Sequence, residues 1–244
     1  MSFNLRYCLK SIRKIYKIAM SNIVNLSFPV TGKMLPADQN YRLYAALCKQ
    51  CPQLHDLPGF AINTISGLPS QLGRIQLTSK SRLLLRLPVE AIALVYPLTD
   101  QNLEIGGHLI HLGNPELQTI KPCDSLKARL VTIKGYHEPE SFLAAAQRQL
   151  EALEINADIG IPANAQGEPK RLTLKINKEN QKDARTYTIV GFSVIVSDLE
   201  LEDSIKLQIQ GLGGKRRLGC GVFYPNISVY KHLGGMRYAE TAIS

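Results

Sequence analysis

Residues 126–153, LKARLVTIKGYHEPESFLAAAQRQLEAL, change periodicity within a single stretch. The first part, 126–133, predicts a strand. Pro139 then stands where the first turn of a helix tolerates proline. Phe142, Leu143, Ala146, Leu150 and Leu153 follow at the spacing of a buried helical face. Downstream, 170–176 and 186–196 predict two strands around a polar loop at 177–185. A helix over 200–210 and a last strand over 219–224 complete the half.

The same succession stands upstream. Residues 22–30 predict a strand and 32–36 a turn. Residues 37–49 predict a helix, with Asp38 near its start and an apolar stripe of Tyr41, Tyr44, Ala45, Leu47 and Cys48, ended by Pro52. Strands are expected at 60–65, 74–77 and 82–87, with a loop at 67–73. A short helix over 89–96 opens at Pro88, and a strand pair at 103–105 and 108–112 turns at Gly106 and Gly107. Each half therefore reads strand–helix–strand–strand–helix–strand, the split βαβ order.

The expected class is α+β: two tandem ferredoxin-like (RRM-like) domains, 23–118 and 119–225, joined near 115–122. A basic extension, 1–22, precedes them and a tail, 226–244, follows. Paired open sheets with a cleft suit single-stranded RNA. No strand carries the interleaved aromatics of ordinary RRM stacking, however.

Composition narrows the partner. Of 244 residues, 45% are hydrophobic, which excludes a disordered chain. No run reaches the roughly 18 apolar residues of a membrane span, so the reading is soluble, cytoplasmic and without a membrane partner. The net charge of +9 points to a polyanion. Arg6, Lys10, Arg13, Lys14 and Lys17 supply part of it, leaving 24 basic against 20 acidic residues in the remainder. The body is only mildly basic, so clustering matters more than the total. Five irregularly spaced cysteines argue against a disulfide framework. Cys48 and Cys51 form a CxxC pair, but no second pair completes a four-ligand zinc site. The expectation is no metal and no cofactor.

The densest cluster is Gly211-Leu212-Gly213-Gly214-Lys215-Arg216-Arg217-Leu218-Gly219-Cys220-Gly221, between a helix and a strand. Glycines permit positive φ and close approach, and successive amides in such turns bind anions. Lys215, Arg216 and Arg217 add charge. Neither the dinucleotide nor the P-loop pattern fits these spacings. The bland alternative is a solvated basic turn.

Gly-hydrophobic-Gly, five residues containing cations, then Gly-hydrophobic-Gly resembles the C-terminal glycine-rich loop of the CRISPR repeat-processing endoribonucleases, the Cas six family. Residues 26–36 (LSFPVTGKMLP), 81–88 (SRLLLRLP), 129–135 (RLVTIKG) and 189–192 (IVGF) resemble a compact branch of it, in the right order. The likeness spans about residues 23–225. It implies two ferredoxin-like domains and metal-independent cleavage of CRISPR precursor RNA within repeats, leaving 5′-hydroxyl and 2′,3′-cyclic phosphate ends. The implied partners are repeat RNA and other subunits of a CRISPR effector complex. The alternative is a non-catalytic repeat-RNA-binding subunit of such a complex.

Such chemistry needs a base for the ribose 2′-OH, a proton for the departing 5′-oxygen and a cation for the phosphorane. Histidine suits the proton transfers. In the resembling family the catalytic histidine sits on or just after the first helix, which selects His55. Tyr44 and Lys49, on that helix, are the accompanying catalytic candidates; Tyr44 could orient the 2′-OH or the phosphate. His108 and His111 read as structural, His137 as a loop residue, and His232 lies in the tail. Arg82 and Arg86 share one face of a strand and join Gly211, Gly213, Gly214, Lys215, Arg216, Arg217, Gly219 and Gly221 as RNA-binding candidates. Lys134 is a weaker one. Four cation–phosphate contacts would give a log–log salt slope near about −2.8.

Overall fold

The computed structural model describes residues 22–180 and 183–226. The basic segment ahead of residue 22, His232 and the rest of the tail from 227 onward lie outside the described residues.

The first half begins with β1 (Ile23–Gly32), a short β2 (Met34–Pro36) and helix α1 (Asn40–Gln50). β3 (Ala61–Asn63), β4 (Leu68–Ser70), β5 (Arg74–Gln76) and β6 (Arg82–Pro88) follow. After the single turn α2 (Ile92–Val95) come β7 (Asn102–Ile105), β8 (His108–Leu112) and β9 (Glu116–Thr119). One antiparallel sheet runs β3-β6-β1-β8-β7, with β9 also on β1. Numbered by their place in the split βαβ unit, its inner strands stand second-third-first-fourth, as that unit requires.

The second half repeats the order. β10 (Leu126–Val131) leads into α3 (Pro139–Ala152), then β11 (Asp158–Gly160), β12 (Arg171–Asn180), β13 (Asp183–Ser197), α4 (Leu201–Gln210) and β14 (Tyr224–Pro225). Its sheet runs β11-β13-β10-β14, with β12 on β13. The fold is thus a tandem pair of ferredoxin-like units. No described helix is long and apolar enough to cross a membrane.

Each half has its own core. Leu26, Phe28 and Val30 of β1 meet Leu43 and Leu47 of α1 together with Leu83, Leu85 and Leu87 of β6. Phe142, Ala146 and Leu150 of α3 pack on Val194 and Val196 of β13, and Phe142 tilts against Phe192 at 4.8 Å between centroids. A third cluster joins the halves: Leu130, Leu174 and Cys220, flanked by Tyr41 of α1 and by Leu218. β1 is central and buried on both faces, because its polar side, Asn25 and Ser27, is also covered.

Several local expectations differ. The helix expected from 37 starts at Asn40; Asp38 instead accepts the amide of Lys175 at 2.8 Å. The expected turn at 32–36 and loop at 67–73 contain β2 and β4, which flank β5 in a small separate sheet. The segment expected to join the domains contains β9. It pairs with the stretch of β1 that β8 leaves open, since β8 meets only Val30, Thr31 and Gly32. The polar loop at 177–185 is a continued ladder, ending at the Asn180–Asp183 pair. The strand expected over 219–224 shrinks to β14, because Gly219 and Gly221 carry φ of 76° and 67°, outside the range of extended chain.

Candidate active site

Helix α1 and the turn after it carry the catalytic candidates. Pro52 begins a single 3₁₀ turn, Pro52–His55, that ends on His55. Tyr44 lies eleven residues earlier, on the face of α1 that looks toward this turn. Its hydroxyl and His55 Nδ1 are 3.0 Å apart, a normal hydrogen bond. One helical turn on from Tyr44, Cys48 also hydrogen-bonds the phenol. Burial and that bond push the Tyr44 pKa up to about 12, so the phenol stays protonated. Burial raises the Cys48 thiol as well, which keeps it from becoming a thiolate nucleophile. His55 itself is exposed.

The glycine-rich loop reaches this spot from the other half. Gly211 ends α4, and the chain then folds back on itself until Gly221 crosses beside it. A Cβ at Gly211 would collide with the carbonyl oxygen of Gly221, and one at Gly221 with that of Leu212. Both residues also have positive φ, so only glycine allows the crossing. Between them a single 3₁₀ turn, Arg216–Leu218, packs on β3 and α1. Asn40, at the start of α1, donates its side-chain amide to the carbonyl of Leu218. Arg129 of β10 donates to Asn40 Oδ1 at 3.3 Å and to the carbonyl of Ala37 at 3.2 Å.

Arg217 is the loop's cation at the site. It donates to the carbonyl of Leu57 at 3.3 Å, two residues beyond His55. Its positive charge also works against the upward shifts of Tyr44 and Cys48. Tyr44 and His55 thus pair directly, and Arg217 of the other half is bonded to the backbone two residues beyond His55. A hydrogen-bonded imidazole and a guanidinium there can move a proton and stabilise an anion together.

Other candidates fall elsewhere. Lys49 is exposed, but five residues on from Tyr44 it is turned about 140° away around α1. Arg216 is folded under the loop. Its Nε and Nη2 are shielded from solvent without a hydrogen-bond partner among the described residues, so it is not the outward cation expected. Arg86 is 1% exposed and donates to Asn25, Gln208 and Phe223. That burial corrects its reading as a phosphate contact. Arg82, half-buried, donates to the carbonyls of Ser79 and Ser81 and lines a cleft of about 350 Å³ that also includes Gln39 and Arg129.

The loop amides are partly committed. Gly213 donates to Gln149 Oε1 at 2.7 Å, and Gly214 to the carbonyl of Thr132 at 3.0 Å. Those two N–H groups are thus taken by the protein, contrary to an open anion nest. Gly219 sits so close to β3 that a Cβ would lie 3.1 Å from the Ile62 carbonyl. Gly213, Gly214 and Lys215 are exposed and border a hollow of about 690 Å³ that Lys134 and His137 also line. His111 pairs with Asp100 and Asn102, both 3.2 Å away, and stands in β8 with His108. Among the described residues no group of three or more His, Cys, Asp or Glu side chains could hold a metal ion.

Two contributors escaped the sequence. Asn40 and Arg129 lock loop to helix, yet their partners lie 178 and 89 residues away, and no spacing rule connects them. Cys48 was legible, being four residues from Tyr44 on a helix.

The family model described as Cas6 Crispr matches residues 24–228. The chain is 36% identical over 202 residues to the CRISPR-associated endonuclease Cas6 of Myxococcus xanthus (strain DK1622), covering 83% of this chain and 81% of that protein. Two solved structures share the fold. A CRISPR-associated protein Cas6 superposes with a TM-score of 0.54 at 11% identity, and a Cas6-related protein from Pyrococcus furiosus with 0.56 at 14%. Each alignment covers 83% of this chain and 98% of the other.

Proposed function

The chain belongs to the Cas6 family of CRISPR RNA-processing endonucleases, and from that premise we propose that it cleaves precursor RNA within each repeat, without a metal, at the point where Tyr44, His55 and Arg217 meet. The observation that carries this reading is the 3.0 Å pair between Tyr44 and His55, with the glycine-rich loop's Arg217 beside it.

The roles follow from the hydrogen bonds. In the proposed reactive tautomer the Tyr44 oxygen accepts from His55 Nδ1–H across the 3.0 Å between them. The lone pair on Nε2 is then free at the surface. Nε2 takes the proton of the ribose 2′-OH as that oxygen forms its bond to the adjacent phosphorus. The bond from phosphorus to the 5′-oxygen breaks, and water supplies the proton that oxygen needs. One product ends in a 2′,3′-cyclic phosphate and the other begins with a 5′-hydroxyl. Arg217 sits where it can neutralise charge building on the phosphorane. Lys215, exposed at the loop's outer end, holds the neighbouring backbone.

The test uses the full chain and a His55→Ala variant, each incubated with cognate repeat RNA in EDTA. The parent cleaves and the variant binds without cleaving. A repeat with 2′-deoxyribose at the cut position binds and stays intact. Binding without cleavage by the parent would instead assign a repeat-RNA-binding subunit.

A further inference from the structure

We propose that Arg86 is a positioning residue: a buried guanidinium that ties both stems of the glycine-rich loop to the first half, and so sets where Arg217 meets Tyr44 and His55. The proposal rests on the active site described above.

Arg86 belongs to β6, in register with Asn25 of β1. Its Nε donates to Asn25 Oδ1 at 2.9 Å, which aims the plane of the guanidinium. Its Nη1 donates to two carbonyls of the other half. One is Gln208, in the last turn of α4 just before the loop; the other is Phe223, just after it, at 3.1 Å. A single side chain thus grips the chain on both sides of residues 211–221. Gln208 O is among the carbonyls a helix leaves unpaired at its C-terminus, where a cation is also favoured by the dipole. Gln208 is held in turn, its amide donating to the carbonyl of Lys121 at 2.9 Å.

A buried arginine is costly unless its donors are met. Here Asn25 takes up Nε–H and the two stem carbonyls take up Nη1, so losing the side chain leaves polar groups of both halves unpaired. Burial first, and then the charge of Arg216, hold the Arg86 pKa below its ordinary value. Lysine lacks the planar fork and cannot reach all three acceptors at once.

The test compares the parent, His55→Ala, Arg86→Met, Arg86→Lys and Asn25→Ala by single-turnover cleavage, RNA affinity and amide hydrogen exchange over 209–223. Arg86→Met should slow cleavage by about 100-fold, as a displaced catalytic group does. Its affinity for repeat RNA should change by less than about threefold. Exchange at the Gly213, Gly214 and Gly221 amides should accelerate while β1 stays protected. Arg86→Lys should recover only part of the rate.

If Arg86→Met does not fold, Asn25→Ala decides, since it keeps the cation and removes only its aim. Slower cleavage with faster loop exchange supports the proposal. Parental cleavage and parental loop exchange in the folded variants overturn it. Should the parent fail to cleave, the enzymatic reading falls, and loop exchange alone still decides whether Arg86 anchors the stems.

Discussion

Arg217 donates to the carbonyl of Leu57 at 3.3 Å although the two are 160 residues apart in the chain. This bond brings the cation of the glycine-rich loop to the turn that carries His55. In the unfolded chain His55 and Arg217 belong to different halves.

Arg217→Ala should therefore lower the single-turnover cleavage rate by about 100-fold, the effect of removing one donor from a developing anion. Arg217→Lys should recover part of it, because the charge returns without the fork that reaches Leu57. Quench-flow with saturating protein measures both. A rate unchanged in Arg217→Ala would exclude it from the chemistry.

Tyr44→Phe removes the hydroxyl that meets His55 Nδ1 while keeping the ring in place. The bond is exposed, so about 1 kcal/mol is at stake, or roughly five- to tenfold in rate. Tyr44 titrates near 12, above its ordinary value, because burial and the bond with Cys48 favour the neutral phenol. A phenol with a raised pKa is protonated at every lower pH. No limb of the parent's pH–rate profile below about pH 10 should therefore belong to it. The parent and Tyr44→Phe should share the shape of their profiles there and differ in height.

Gly221→Ala and Gly214→Ala separate the two uses of glycine in the loop. At Gly221 a Cβ meets the carbonyl of Leu212 on a backbone at φ 67°, so neither atom can move cheaply. Thermal unfolding should show a loss of at least about 2 kcal/mol, together with loss of cleavage. A Cβ at Gly214 meets nothing within 4 Å, and that variant should keep its melting temperature to within about 0.5 kcal/mol.

Lys215→Ala should weaken binding to all RNA sequences alike and flatten the log–log salt dependence by about 0.7, the share of one phosphate contact on a single strand. Filter binding across a salt series reads this directly. An unchanged slope would remove Lys215 from the backbone path.

Much of the architecture was legible as pattern. The apolar spacing of Phe142, Ala146 and Leu150 gave α3, and the doubled strand–helix order gave the tandem units. Misreadings came where a short segment takes its structure from a partner. β4 and β9 are three and four residues long and largely exposed, so each exists only through the strand it pairs with. At the site, His55 and Tyr44 share a local segment and were read together, whereas Arg216 and Arg217 are neighbours with the same chemistry. The backbone at Lys215 turns into the left-handed region, after which Arg217 points to the site and Arg216 beneath the loop.

The amino-acid order alone determined the two-fold repetition of the unit, the place of the helices and the presence of a cationic glycine-rich turn, because periodicity and turn chemistry act over a few residues. The folded chain alone decided which cation of the loop reaches the segment that carries His55, and that Arg86, alternating with leucines like a surface residue, is buried between the halves. Whether a side chain meets solvent or another element depends on contacts more than a hundred residues distant, such as those of Arg86 with Gln208 and Phe223, and no local rule contains them.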